Sequence, residues 1–149
     1  MELKAYQQDV ISDLERFLEK VQEIKDLKKS FQVFWASHPK TPLQPFIGTA
    51  IEPYKNTIPK VPHICVKVPT AGGKTFIAAN ALKAIFDAFD NNKSKAVVWL
   101  VPSITILDQT LKNLNDPFHP YRQKINSHFQ HKVAVFDKSA LLQGSSFNP

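Results

Sequence analysis

Val10, Leu14, Phe17, Leu18, Val21 and Ile24 recur at three- and four-residue intervals with Asp, Glu and Lys between them. That spacing predicts one amphipathic helix over residues 4–30, inside a helical segment reaching to about residue 37. Over residues 38–62 the pattern collapses. Six of the eleven prolines fall there, which argues against helix or central strand. Trp35, Phe46 and Tyr54 offer enough aromatic surface to pack this stretch, so an ordered loop is expected rather than a linker. Beyond it the texture alternates. Residues 64–68 form a short β-prone run ending at a glycine turn. Residues 75–90 carry a helical stripe of Ala78, Leu82, Ile85, Phe86 and Phe89. Residues 96–101 are apolar without polar alternation, as in a parallel strand buried on both faces. Ser103 then opens a helix to about Leu114, a shorter helix ends near His128, and residues 133–136 read as a third strand. Strand, crossover helix and strand in this order predict an α/β fold with a parallel sheet and flanking helices, incomplete at its end.

Composition narrows the class. A chain of 149 residues with 43% hydrophobic and 21% charged side chains suits an ordinary globular domain. The single cysteine, Cys65, excludes a disulfide framework or a cysteine-based zinc site within one chain. No apolar stretch approaches the ~18 residues of a membrane span, and no signal-peptide core opens the chain, so no membrane role and a cytoplasmic location are expected. The formal charge of +6 is unevenly spread. Residues 1–62 hold nine basic and eight acidic side chains, whereas residues 63–149 hold ten and five. The basic excess therefore lies in the half that follows the proline-rich segment, where it suits a phosphate-rich ligand, though charge alone favours a solvated basic face.

The strongest chemical signal is Val68-Pro69-Thr70-Ala71-Gly72-Gly73-Lys74-Thr75, between an expected strand and an expected helix. Backbone N–H groups at such a turn converge on phosphate oxygens, and the helix start adds partial positive charge. Gly72 and Gly73 let the backbone approach without side chains. Lys74 is the phosphate-binding and catalytic cation, and Thr75 offers a hydroxyl to Mg²⁺. ATP with Mg²⁺ is the expected ligand of Thr70, Ala71, Gly72, Gly73, Lys74 and Thr75. Val68 stands where the general pattern has its first glycine, and Ala71 where the helicase form Pro-Thr-Gly-x-Gly-Lys-Thr has glycine. Elsewhere, His128 and His131 lack a third ligand and read as surface histidines, and Arg122 with Lys124 makes only a weak patch.

Together with this loop, two flanking segments make the chain resemble superfamily 2 helicases and translocases of the DEAD/DEAH-box type, most of all the motor (Res) subunit of type III restriction enzymes. Leu3-Lys4-Ala5-Tyr6-Gln7 is similar to the opening of many such motors, and the resemblance implies that Gln7 reads the adenine edge. The same residues also read simply as the first turn of a helix. Val101-Pro102-Ser103-Ile104-Thr105-Ile106-Leu107-Asp108-Gln109 resembles motif Ia, which implies that Pro102, Ser103 and Gln109 meet a DNA backbone. Ser103 reads equally as a helix cap. The resemblance implies a partial RecA-like P-loop NTPase fold, an ATP-dependent DNA helicase or translocase linked to restriction, and a modification methyltransferase as partner. The carboxylate pair of such motors is not found, so the fragment is expected to bind nucleotide without turning it over. Relatives place further strands between the first two, so self-association or a differently closed sheet is also expected. A P-loop binding module and a small-molecule kinase remain as alternatives; Gln7 and the Ia-like segment weigh against the kinase.

Overall fold

The computed structural model describes residues 2–89 and 94–142, the side chains of residues 141 and 142 apart. Two helices begin it, α1 (Ala5–Ile24) and α2 (Leu27–Ala36), where one helix was expected. The break has a local cause. Lys25 takes the left-handed conformation at φ 57° and its N–H closes on the Val21 carbonyl, ending α1. Asp26 then caps α2, accepting the Lys29 N–H at 2.8 Å. The chain reverses, so that Ser30 lies beside Lys20, Phe34 beside Phe17 and His38 beside Asp13.

This hairpin encloses an aromatic core. Phe17 meets Phe31 and Phe34 edge-on at 6.3 and 5.9 Å, and Tyr54 lies 6.4 Å from it at a tilt. Tyr54 belongs to the proline-rich segment and anchors it, with its hydroxyl accepting the His63 N–H at 2.6 Å. His38, at the loop's entrance, accepts the N–H groups of Lys40 and Thr41 on Nδ1 and faces Asp13 through Nε2 at 3.2 Å. Phe46 stays exposed. Ordered anchoring is thus present at both ends of a segment that has no regular structure of its own.

The chain divides into two compact units, residues 2–77 and residues 78–149. Helix α3 (Lys74–Ala88) starts in the first and continues into the second. The second unit holds α4 (Ile104–Asn115), α5 (Pro120–His128) and α6 (Lys138–Leu142). Its core is Ala79, Leu114 and Ile125, covered by Leu82, Tyr121, Phe129, Val133 and Val135. Arg122 staples this unit by donating to the Leu114 carbonyl at 3.1 Å and to the Val133 carbonyl at 2.9 Å. Asp137 caps α6 by accepting the Ala140 N–H.

The expected α/β architecture is overturned. Among the described residues there is no strand and no sheet, so the chain does not form the parallel-sheet, RecA-like P-loop domain that its hydrophobic pattern predicted. Residues 64–68, 96–101 and 133–136 are not helical, but none of them is part of a ladder. High β-propensity describes a fit to a pleated, half-buried surface, and a run becomes a strand only when a neighbour takes up its N–H and C=O groups. Val98 and Leu100 are 82% and 85% exposed, so the face of residues 96–101 that carries them lacks such cover, while Trp99 and Val101 on the other are half-buried. Val133 and Val135 do place alternate side chains against a core. The tail at Ser145–Pro149 lies outside the described residues. Among the described residues no helix is long and apolar enough to cross a membrane.

Candidate functional site

The glycine turn and the start of α1 form one polar cluster inside the first unit. Gln7 occupies the third position of α1 and its Oε1 accepts the Lys4 N–H at 2.9 Å, the return half of a capping box. Lys4 cannot reciprocate, because an ammonium side chain has no acceptor. The other end of the same amide, Nε2, donates to the Gly72 carbonyl at 3.0 Å. Tyr6 donates its hydroxyl to that same carbonyl at 2.8 Å. Gln7 is only 3% exposed, although it lies one turn from the end of the helix. Each end of its amide keeps one further bonding capacity, a lone pair on Oε1 and a hydrogen on Nε2.

The loop itself is a tight turn leading into α3. The Gly72 N–H closes on the Pro69 carbonyl at 3.0 Å. Ala71 sits at φ 60° and Gly73 at φ 71°, both in the left-handed region. At the third position of such a turn glycine is the usual occupant, which is the physical reason the helicase form carries glycine where this chain has Ala71. Gly72 is required for a different reason: a Cβ there would stand 2.5 Å from Val68 Cγ1 and 2.9 Å from the Pro69 carbonyl oxygen. At Gly73 a Cβ would stand 2.6 Å from Gln7 Nε2.

From Gly73 onward the backbone leaves donors without acceptors. The first N–H groups of a helix have no partner within it, and those of Gly73, Lys74 and Thr75 find no acceptor among the described residues. Lys74 is exposed and donates through Nζ to the Pro69 carbonyl at 2.9 Å, which leaves two ammonium hydrogens free. Thr75 is half-buried, and its hydroxyl makes no hydrogen bond among the described residues. Three unpaired N–H groups, two positions cleared of side chains, a cation and a hydroxyl at one helix start fit a polyphosphate with its metal ion. Thr70 and Ala71 form the exposed rim of the turn.

Pro102, Ser103 and Gln109 all lie exposed in the second unit. Ser103 is the N-cap of α4 and accepts the Ile106 N–H on Oγ at 3.4 Å, while its hydroxyl hydrogen remains available to a phosphate. Arg122, weighed as part of a basic patch, spends its guanidinium on two carbonyls. His128 is half-buried with its Nδ1 unpartnered; burial holds its pKa below the usual histidine value, helped by Lys124 and Lys83. Among the described residues no group of three His, Cys, Asp or Glu could hold a metal.

Sequence reasoning brought Gln7 and the glycine loop together only through a family likeness, and it gave Tyr6 no role. The adjacency of Tyr6 and Gln7 in one helical turn was the available signal, because two donors from one turn can reach one carbonyl. The family model described as the type III restriction enzyme, res subunit, matches residues 1–142. No curated protein and no solved structure matches the chain.

Proposed function

The chain belongs to the family of type III restriction enzyme res subunits, a helicase domain of superfamily 2, and from that premise we propose that it binds ATP with Mg²⁺ through residues 70–75 as part of a DNA-dependent motor. The observation that carries this reading is the helix start at Gly73, where three backbone donors stand unpaired beside the Lys74 ammonium and the Thr75 hydroxyl. In this reading Lys74 exchanges the Pro69 carbonyl for phosphate oxygens. A carbonyl is neutral and a polyphosphate is strongly anionic, so the exchange is favourable. Thr75 turns its hydroxyl to Mg²⁺, which when bound offsets charge on the terminal phosphates. Gln7 uses its remaining lone pair and hydrogen on the adenine edge. Pro102 and Ser103, with Gln109 one turn and a half further along α4, take a DNA backbone phosphate without reading bases. A methyltransferase subunit as partner and a cytoplasmic setting belong to the same reading.

Calorimetric titration of ATP in the presence of Mg²⁺ tests the core of this. Lys74→Ala removes the loop's one side-chain cation, so affinity should fall at least tenfold, ~1.4 kcal/mol. Equal affinity of the wild type and Lys74→Ala would remove the nucleotide reading. Thr75→Ala should cost more with Mg²⁺ than without it, and equal losses would take Thr75 out of the metal site.

A further inference from the structure

We propose that Tyr6 is a positioning residue for phosphate binding, acting by holding the Gly72–Gly73 peptide so that the Gly73 N–H faces the ligand. The inference rests on the nucleotide reading above and goes beyond it, since that reading gives Tyr6 no part. A trans peptide is planar, with its C=O and N–H pointing in opposite directions. Whatever fixes the Gly72 carbonyl therefore fixes the Gly73 N–H on the other side. Tyr6 Oη and Gln7 Nε2 both donate to that carbonyl, at 2.8 and 3.0 Å, and so occupy both of its lone pairs. The opposite end of the plane, the Gly73 N–H, has no acceptor among the described residues.

The peptide needs such a restraint. It lies between two glycines, one of them at φ 71°, and residues without Cβ allow a peptide plane to rotate between orientations that other residues forbid. A rotated plane would aim a carbonyl oxygen at the phosphates in place of a donor. Rotation from the observed state breaks two hydrogen bonds at once, both supplied from α1, 65 and 66 residues away in sequence. Tyr6 is suited to this task in a way that sets it apart from packing residues. It is 41% exposed, so burial of the ring does not explain its position, whereas its hydroxyl is fixed on the loop.

Tyr6→Phe deletes only the hydroxyl and leaves no core cavity, so the variant should fold. The full 149-residue chain is titrated with tripolyphosphate and, separately, with adenosine, as wild type, Tyr6→Phe and Lys74→Ala. Tyr6→Phe should weaken tripolyphosphate about fivefold, the worth of one hydrogen bond, and leave adenosine unchanged. The Gly73 amide resonance should shift in the same variant. Unchanged tripolyphosphate affinity in Tyr6→Phe, with a clear loss in Lys74→Ala, overturns the role of Tyr6 and leaves the nucleotide reading standing. Equal losses for tripolyphosphate and adenosine also overturn it, since they mark a general loosening. Failure of the wild type to bind tripolyphosphate overturns both.

Discussion

Replacing Gly73 with alanine perturbs two things at once, and a thermodynamic cycle separates them. The backbone at φ 71° is left-handed, which costs an L-residue roughly 1–2 kcal/mol. The new Cβ would also stand 2.6 Å from Gln7 Nε2, so the buried amide must leave the Gly72 carbonyl, a further loss of about 1 kcal/mol. The expected total is about 2–3 kcal/mol, a large share of the stability of a small domain. In a Gln7→Ala background the second part disappears, because nothing then fills the space above Gly73. The same substitution should cost only about 1–2 kcal/mol there, which gives a coupling of about 1 kcal/mol between the two positions. Urea unfolding followed through Trp35 fluorescence, with Trp99 replaced by Phe, reads the first unit. Equal costs for Gly73→Ala in both backgrounds would refute the placement of the Gln7 amide against Gly73. No cost in either background would refute the left-handed turn as well.

Three further outcomes are expected. Arg122→Ala should destabilise the second unit by about 2 kcal/mol in urea unfolding, since both of its carbonyl partners lose a charged donor, and Arg122→Lys should recover only part, having no planar fork to reach both. His128 is held below the usual histidine pKa by burial, so the folded state keeps it neutral where the unfolded chain takes up a proton. Its contribution is therefore present above about pH 6.5 and lost as pH falls below that value; wild type should lose more stability than His128→Asn between pH 7 and the lower folded pKa, and parallel curves would refute this. The exposed run at residues 96–101 should drive concentration-dependent association measured by light scattering, reduced in Leu100→Lys; a strictly monomeric wild type would count against it.

What the sequence conveyed well was local. The stripe from Leu14 to Val21 does face a core, Ser103 does begin a helix, and α5 does end at His128, because spacing and capping act over one or two turns. The hairpin at Lys25 and Asp26 was hidden because Ile24, Leu27, Phe31 and Phe34 continue the helical spacing straight across the break, so periodicity alone could not mark it. The three β-prone runs, read as strands, are non-helical but unpaired, since pairing depends on a second segment and not on the run itself. At the site, the glycine turn was legible from residue types and from the family likeness. The hold of Tyr6 and Gln7 on Gly72 was not, since nothing in the residues between them signals contact at that separation.

That separation also dictates an order of events as the chain folds. The contacts of the α1–α2 hairpin join residues about ten to twenty-five positions apart, such as Lys20 with Ser30 and Asp13 with His38. The bonds from Tyr6 and Gln7 to Gly72 close a loop of 66 and 65 residues and gain nothing until it is closed. Closing long loops costs more entropy, and contacts distant in sequence form later than local ones. On a ribosome the hairpin can therefore assemble while the glycine turn is still unmade. The carbonyl that orients the turn is captured only afterwards, by a surface already built to receive it. Under mild denaturation the sequence runs backwards, so the glycine turn should open while the aromatic core of the hairpin remains intact.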